Sequence, residues 1–209
     1  MIFITFLSGC VTSSIENARD EITKSYNGEA VVVMAKSYHQ GNETEANYIN
    51  CIEKSLGNGR GALNVIPTQR FIDNLFPWFE PRTTPTNTKG LAKLMGEVGV
   101  AEAIELMGVK YIIWLDGDTE RVTQGGSLSC VAGPGGGGCF GFAWWQDDAD
   151  YEASIWDLNN SKATGTITAD YSGTSFLPAL VVPIPLIART QAKACEGLTK
   201  QLKDFIKSS

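Results

Sequence analysis

The chain has 209 residues, 43% of them hydrophobic and 19% charged, with a formal net charge of −6. That length fits one domain, and that apolar content supports a core without a structural metal. A mildly acidic chain with no basic run lacks the clustered Lys and Arg that nucleic-acid binding needs, and its one histidine, His39, leaves little for metal or general-base constellations.

Residues 1–9, MIFITFLSG, are a short apolar run that ends at Cys10. The run is too short to span a bilayer, which takes about 20 apolar residues. Leu7-Ser8-Gly9-Cys10 resembles the bacterial lipobox, in which small residues precede a cysteine that takes a diacylglycerol. The resemblance implies that residues 1–9 are a signal-peptide remnant and that Cys10 is the lipidated residue, carrying palmitate-class chains. A working signal spans about 15–30 residues behind a basic start, so its beginning is expected upstream of Met1. Two or three acyl chains anchor stably, where one holds only marginally. Lipoprotein sorting reads Asp after the cysteine as inner-membrane retention; Val11 points instead to the outer membrane, with the protein facing the periplasm. A buried amino-terminal strand with an incidental cysteine is the competing reading.

Residues 10–28 are polar and read as a lipidated tether leading into a first helix. A single domain is expected over residues 29–207. Its first element, EAVVVMAKSY at 29–38, is a continuous β-branched run, the pattern of a central strand. Asn42 opens a helix with Glu45 in capping-box spacing, Tyr48, Cys51, Ile52, Ser55 and Leu56 on one face, and Gly57 at its close. The short strand ALNVI precedes Pro67, which suits the first turn of the helix PTQRFIDNLF. Short helices are predicted at 89–96 and 100–107, and Gly108 releases the chain into the strand VKYIIWLDGDTERV. Residues 124–141 read as a glycine-rich insertion. Strands follow at 142–145, 150–158 and 164–171, with Asn159-Asn160-Ser161 as a turn. The apolar, proline-broken stretch SFLPALVVPIPLIA reads as a loop before Thr190, a helix N-cap. The last helix places Cys195, Leu198, Leu202, Phe205 and Ile206 on one stripe. This order predicts an α/β (α+β) domain: a mixed sheet of about five strands with helices packed on it, plus the hairpin insertion.

Four cysteines remain after Cys10. Cys130 and Cys139 flank VAGPGGGG, and closing so short a loop contributes about 2–3 kcal/mol on the chain-entropy model. Cys51 and Cys195 lie on apolar helix stripes; a disulfide and two buried thiols both fit. GPGGGG lacks the Gly-Lys-Ser/Thr ending of a phosphate loop, no GxSxG elbow occurs, and no CxxC spacing supports zinc. Asp116 and Asp118, and Asp147, Asp148 and Asp150, carry calcium-type oxygens without the EF-hand spacing, and read as solvated strand-end carboxylates. No cofactor, no metal and no enzymatic activity are expected.

Three segments carry a family resemblance. VAEAIELMGVKYIIWLDGD resembles a helix–Gly–strand unit, YEASIWDLNNSKATGTITADYSG a β-hairpin with an Asp-bearing strand, and ARTQAKACEGLTKQLKDFIKS a closing amphipathic helix. Together they resemble the fold group of bacterial envelope lipoproteins shared by the curli-secretion lipoprotein CsgG, the activator lipoproteins of penicillin-binding proteins and the TolB amino-terminal domain. The resemblance covers about residues 29–207 and speaks to fold. The insertion and its aromatic exit, CFGFAWW, depart from it. That exit (Phe140, Phe142, Trp144, Trp145) and the late loop (Phe176, Leu177, Leu180, Val181, Val182, Ile184, Leu186) form either a partner-binding or membrane patch, or a closure of the core. The expected role is a protein-binding accessory or assembly factor of the cell envelope, held to a membrane by its lipid anchor. One alternative is an oligomeric secretion or pore component of the CsgG type, which makes a homo-oligomer a candidate assembly. The other is a small-ligand-binding or enzymatic domain using His39 or Asp116.

Overall fold

The computed structural model describes residues 11–19, 29–35, 44–80, 82–85, 88–134 and 136–207. Cys10, His39 and Asn42 lie outside the described residues, as do 1–9 and 20–28. Among the described residues six strands form one mixed sheet: β1 (Val11–Arg19), β2 (Ala30–Ala35), β3 (Asn64–Ile66), β4 (Val109–Gly133), β5 (Gly136–Asp157) and β6 (Lys162–Val181). Their order across the sheet is β1-β6-β5-β4-β2-β3. β2 runs parallel to both β3 and β4, and the other pairs are antiparallel.

Helices α1 (Ala46–Leu56) and α5 (Thr190–Lys207) pack on one face. There Tyr48, Ile52 and Leu56 of α1 and Leu198, Leu202 and Phe205 of α5 meet Tyr151, Ala153, Ile155 and Ile167 of the sheet. Helices α2 (Thr68–Asn74), α3 (Thr88–Met95) and α4 (Val100–Met107) cover the opposite face, chiefly over β2 and β4, through Phe71, Leu91, Val100 and Ile104 against Val32, Ile112 and Trp114. β2 is therefore buried on both faces, which is why it reads AVVVMA without alternation. Each stripe residue of α5, fully buried, contributes about 1.5–3 kcal/mol by leaving water.

Glycine punctuates the helices where the sequence placed it. Gly57 ends α1, and Gly108, left-handed at φ 67°, ends α4. Pro67 stands at the N-cap of α2 rather than inside it. At the head of α1 the capping-box expectation gives way to a tertiary contact. Glu45 is itself the N-cap, and its carboxylate accepts hydrogen bonds from Thr119 N and Tyr151 Oη, each 2.9 Å long.

Three expectations are corrected. Residues 11–19 form an edge strand on β6 and not a tether or helix. Val11 and Ile15 stand four apart, which fits one helical turn and two strand steps alike; as a strand, both pack toward the α5 side of the core. Residues 124–141 are not a loop insertion, because β4 and β5 pair without interruption from Thr123↔Gln146 to Gly133↔Gly136. The segment 175–188 is strand as far as Val181 and then folds back on it, through bridges Ala179↔Pro183 and Phe176↔Leu186.

Candidate functional site

Pairing beyond the helix-covered body gives a projecting ribbon. Its strands are the distal halves of β4, β5 and β6, with residues 183–187 as a short return along the far side of β6. Both cysteine pairs are bonded. Cys51–Cys195 ties α1 to α5 across a sequence separation of 144, and Cys130–Cys139 sits near the ribbon tip across a separation of 9.

Register assigns the side chains to faces, since directly paired residues point the same way. Phe140 pairs with Leu180 and Ser129, Phe142 with Pro178 and Ser127, and Trp144 with Phe176 and Gly125. These rows share one ribbon face, where the Phe142 and Phe176 rings stack at 6.0 Å. Trp145 and Leu177 lie on the other. The six residues singled out in the sequence therefore divide, with Phe140, Phe142, Trp144 and Phe176 together and Trp145 and Leu177 behind them. Exposure sorts them again: Phe140 is 71% exposed and Leu180 77%, whereas both tryptophans, Phe176 and Leu177 are half-buried. Val131, 75% exposed beside Gly138, extends the apolar surface toward the turn. The residues do not close the core on one another; the tip stays open to solvent.

The base of the ribbon carries charge. On one face Arg121 Nε meets Asp147 Oδ1 at 3.2 Å and Arg121 Cζ lies 5.1 Å from the centre of the Trp145 ring, whose Nε1 donates to Asp147 Oδ2. On the other, Asp148 Oδ1 accepts from Ser172 Oγ at 2.7 Å and Gln146 Nε2 at 3.0 Å. Toward the body this second face is acidic, with Asp118, Asp150 and Asp170 side by side across three strands. Partial desolvation, then the charges of Asp170, Asp148 and Asp118, hold the Asp150 carboxyl above the usual carboxylate range.

From the base outward the charge disappears. Residues 122–146 and 171–188 contain no Asp, Glu, Lys, Arg or His. This absence is the sequence signal that marks the whole ribbon, where the aromatic residues alone mark only part of it. The boundary is sharp: one row across four strands holds Arg121, Asp147, Gly173 and Val11.

The body also carries concavities. A groove of about 470 Å³ between α1 and α5 is lined by Arg60, Lys200, Lys203 and the Cys51–Cys195 disulfide. A shallower one of about 290 Å³ opens beside Asp150 and Asp170. Asp116 accepts from Gly117 N at 3.0 Å. Among the described residues no group of three or more His, Cys, Asp or Glu side chains is placed to hold a metal, and no helix is long and apolar enough to cross a membrane.

No protein-family model matches the chain, and no curated protein matches it. Among solved structures it is similar to the PelC dodecamer from Paraburkholderia phytofirmans, at 11% identity over 92% of this chain and 96% of that one, with a TM-score of 0.44. It is similar also to the dodecamer of a single-substitution PelC variant from the same organism, at 13% identity over 95% and 99%, with a TM-score of 0.43.

Proposed function

We propose that this protein is a lipid-anchored lipoprotein of the cell envelope, held in the outer membrane through Cys10 and facing the periplasm, that works by contact as an accessory or assembly factor. The observation that carries the reading is the open apolar face of the ribbon. A folded body that leaves Phe140, Phe142 and Leu180 in water loses the favourable transfer of each side chain unless something covers them. The lipobox resemblance at residues 7–10 supplies the anchor, and the disulfides suit an oxidising compartment.

Metabolic labelling tests the anchor. In the native host, radiolabelled palmitate is expected on the wild-type protein and absent from Cys10→Ser, with only the wild type in the outer-membrane fraction. An unlabelled wild-type protein in the cytosol removes the reading.

A secretion or pore component of the CsgG type is the second reading, favoured by the continuous pairing of the uncharged ribbon, since a transmembrane strand takes about 9–11 residues. A closed ring in detergent, sized by light scattering, supports it. A monomer leaves the accessory role.

A further inference from the structure

The row that ends the charge also receives the start of the described chain. Val11 pairs with Gly173, Gly173 with Asp147, and Arg121 with Asp147. Cys10, the proposed lipidation residue, immediately precedes Val11 in the sequence. The described chain thus begins at the level where the uncharged ribbon leaves the folded body. Past the row the ribbon extends through the eleven residues of β5 from Gln146 to Gly136, or ~36 Å at about 3.3 Å per residue.

We infer that the ribbon's apolar face seats in the bilayer to which Cys10 is anchored, making the membrane itself the occupant of the patch. The inference rests on the lipoprotein reading and names the partner of its contact surface. A protein partner would meet a patch rimmed by polar and charged groups, the usual composition of a protein interface. Here the rim is uncharged too: residues 122–146 and 171–188 supply both faces, the turn and the return strand. The charged residues Arg121, Asp147 and Asp148 gather at the base, as they do where a protein leaves lipid for water. Half-buried Trp144 and Trp145 sit next to that line, the level at which amphipathic indoles partition.

The depth follows from hydrogen bonding. Among the described residues no strand pairs with the outer side of β4 past Leu115. In hydrocarbon each unpaired peptide group costs several kcal/mol, so a single copy lies in the headgroup and upper acyl region rather than across the bilayer. Attraction to the surface is apolar and not electrostatic, because the protein is acidic and the ribbon neutral.

The test removes the anchor and keeps the ribbon. Full-length Cys10→Ser protein is floated with zwitterionic phosphatidylcholine vesicles, some carrying brominated acyl chains. It is expected to float at low and high salt, with tryptophan emission quenched by the brominated lipid. Phe140→Ser with Leu180→Ser is expected to lower the partition coefficient about tenfold or more. Leu106→Ser, at a site 89% exposed on α4, is expected to leave it unchanged. Residues 1–9 are common to all these proteins, so the difference reads the ribbon, and circular dichroism confirms that each is folded. Folded protein that stays off the vesicles, an equal loss in Leu106→Ser, or an envelope protein crosslinked at position 140 without vesicle binding overturns the inference. Palmitate labelling is independent of all three, so the lipoprotein reading stands or falls separately.

Discussion

Asp150 shows how one residue carries the cost of the acidic sheet face. Its carboxyl is held above the usual range because partial desolvation and three neighbouring carboxylates disfavour its charge. A raised carboxylate pKa means that the folded state binds its proton more tightly than the unfolded state does, so stability falls as pH rises past the ordinary carboxylate value. Asp150→Asn is therefore expected to melt about 1–2 °C higher than wild type at neutral pH, with the gap closing on acidification and shrinking in high salt. Melting curves from about pH 4 to pH 7 check it. The cysteines differ by position instead of environment. On the chain-entropy model, the loop closed by Cys51–Cys195 restricts the unfolded chain by about 5 kcal/mol and the ribbon loop by about 2.7 kcal/mol. The Cys51→Ala, Cys195→Ala pair is expected to shift the urea midpoint well beyond the shift from Cys130→Ala with Cys139→Ala. The choice between a bond and two thiols at Cys51 and Cys195 could not be read from a helical stripe, because the stripe says that each is buried and not that they meet.

At the scale of the element, α5 reverses a rule of propensity. Gly197 lies mid-helix, where replacement by Ala is worth about 1 kcal/mol in a helix free of contacts. In the sheet-packed helix a Cβ at that position would overlap the Tyr171 hydroxyl and press on Ile15. Overpacking of this kind costs about 1–3 kcal/mol, which outweighs the propensity gain. Gly197→Ala is accordingly expected to lower stability by about 1 kcal/mol, read from denaturant unfolding, and Tyr171→Phe is expected to recover only part of that loss, because the ring Cζ it keeps would still lie 2.8 Å from the added Cβ. The same contact shows why β1 was illegible. Ile15 needs α5 and β6 in place before its strand face is defined, and its spacing from Val11 satisfies a helix equally well. The ribbon strands hid for a related reason. Glycine at 125, 126, 136, 137, 138 and 141 reads as loop, yet Gly126 and Gly141 occupy left-handed backbone conformations and bring β4 and β5 too close together for a Cβ. A glycine run that looks like slack is here the means of close pairing.

For the whole molecule the division is between periodicity and pairing. Helices α1, α2, α4 and α5, the buried strand β2 and the stripe Leu198, Leu202, Phe205 and Ile206 were legible because each is decided by its own side chains meeting water or leaving it. The mixed fold class followed from their order. The sixth strand, the fusion of two predicted β5 pieces into one, and the length of β6 were not legible, because backbone hydrogen bonds between distant segments leave no local pattern. The candidate site divides in the same way. Phe140, Phe142, Trp144 and Phe176 stood out as apolar mass in the sequence, and their absence of charged neighbours was written there too. Only the register put those four on one face, sent Trp145 and Leu177 to the other, and aligned Val11 with Asp147 and Arg121 at the edge of the uncharged ribbon. Sequence by itself determined which residues avoid water; the tertiary structure decided which of them the fold could cover, because cover depends on neighbours brought from far along the chain.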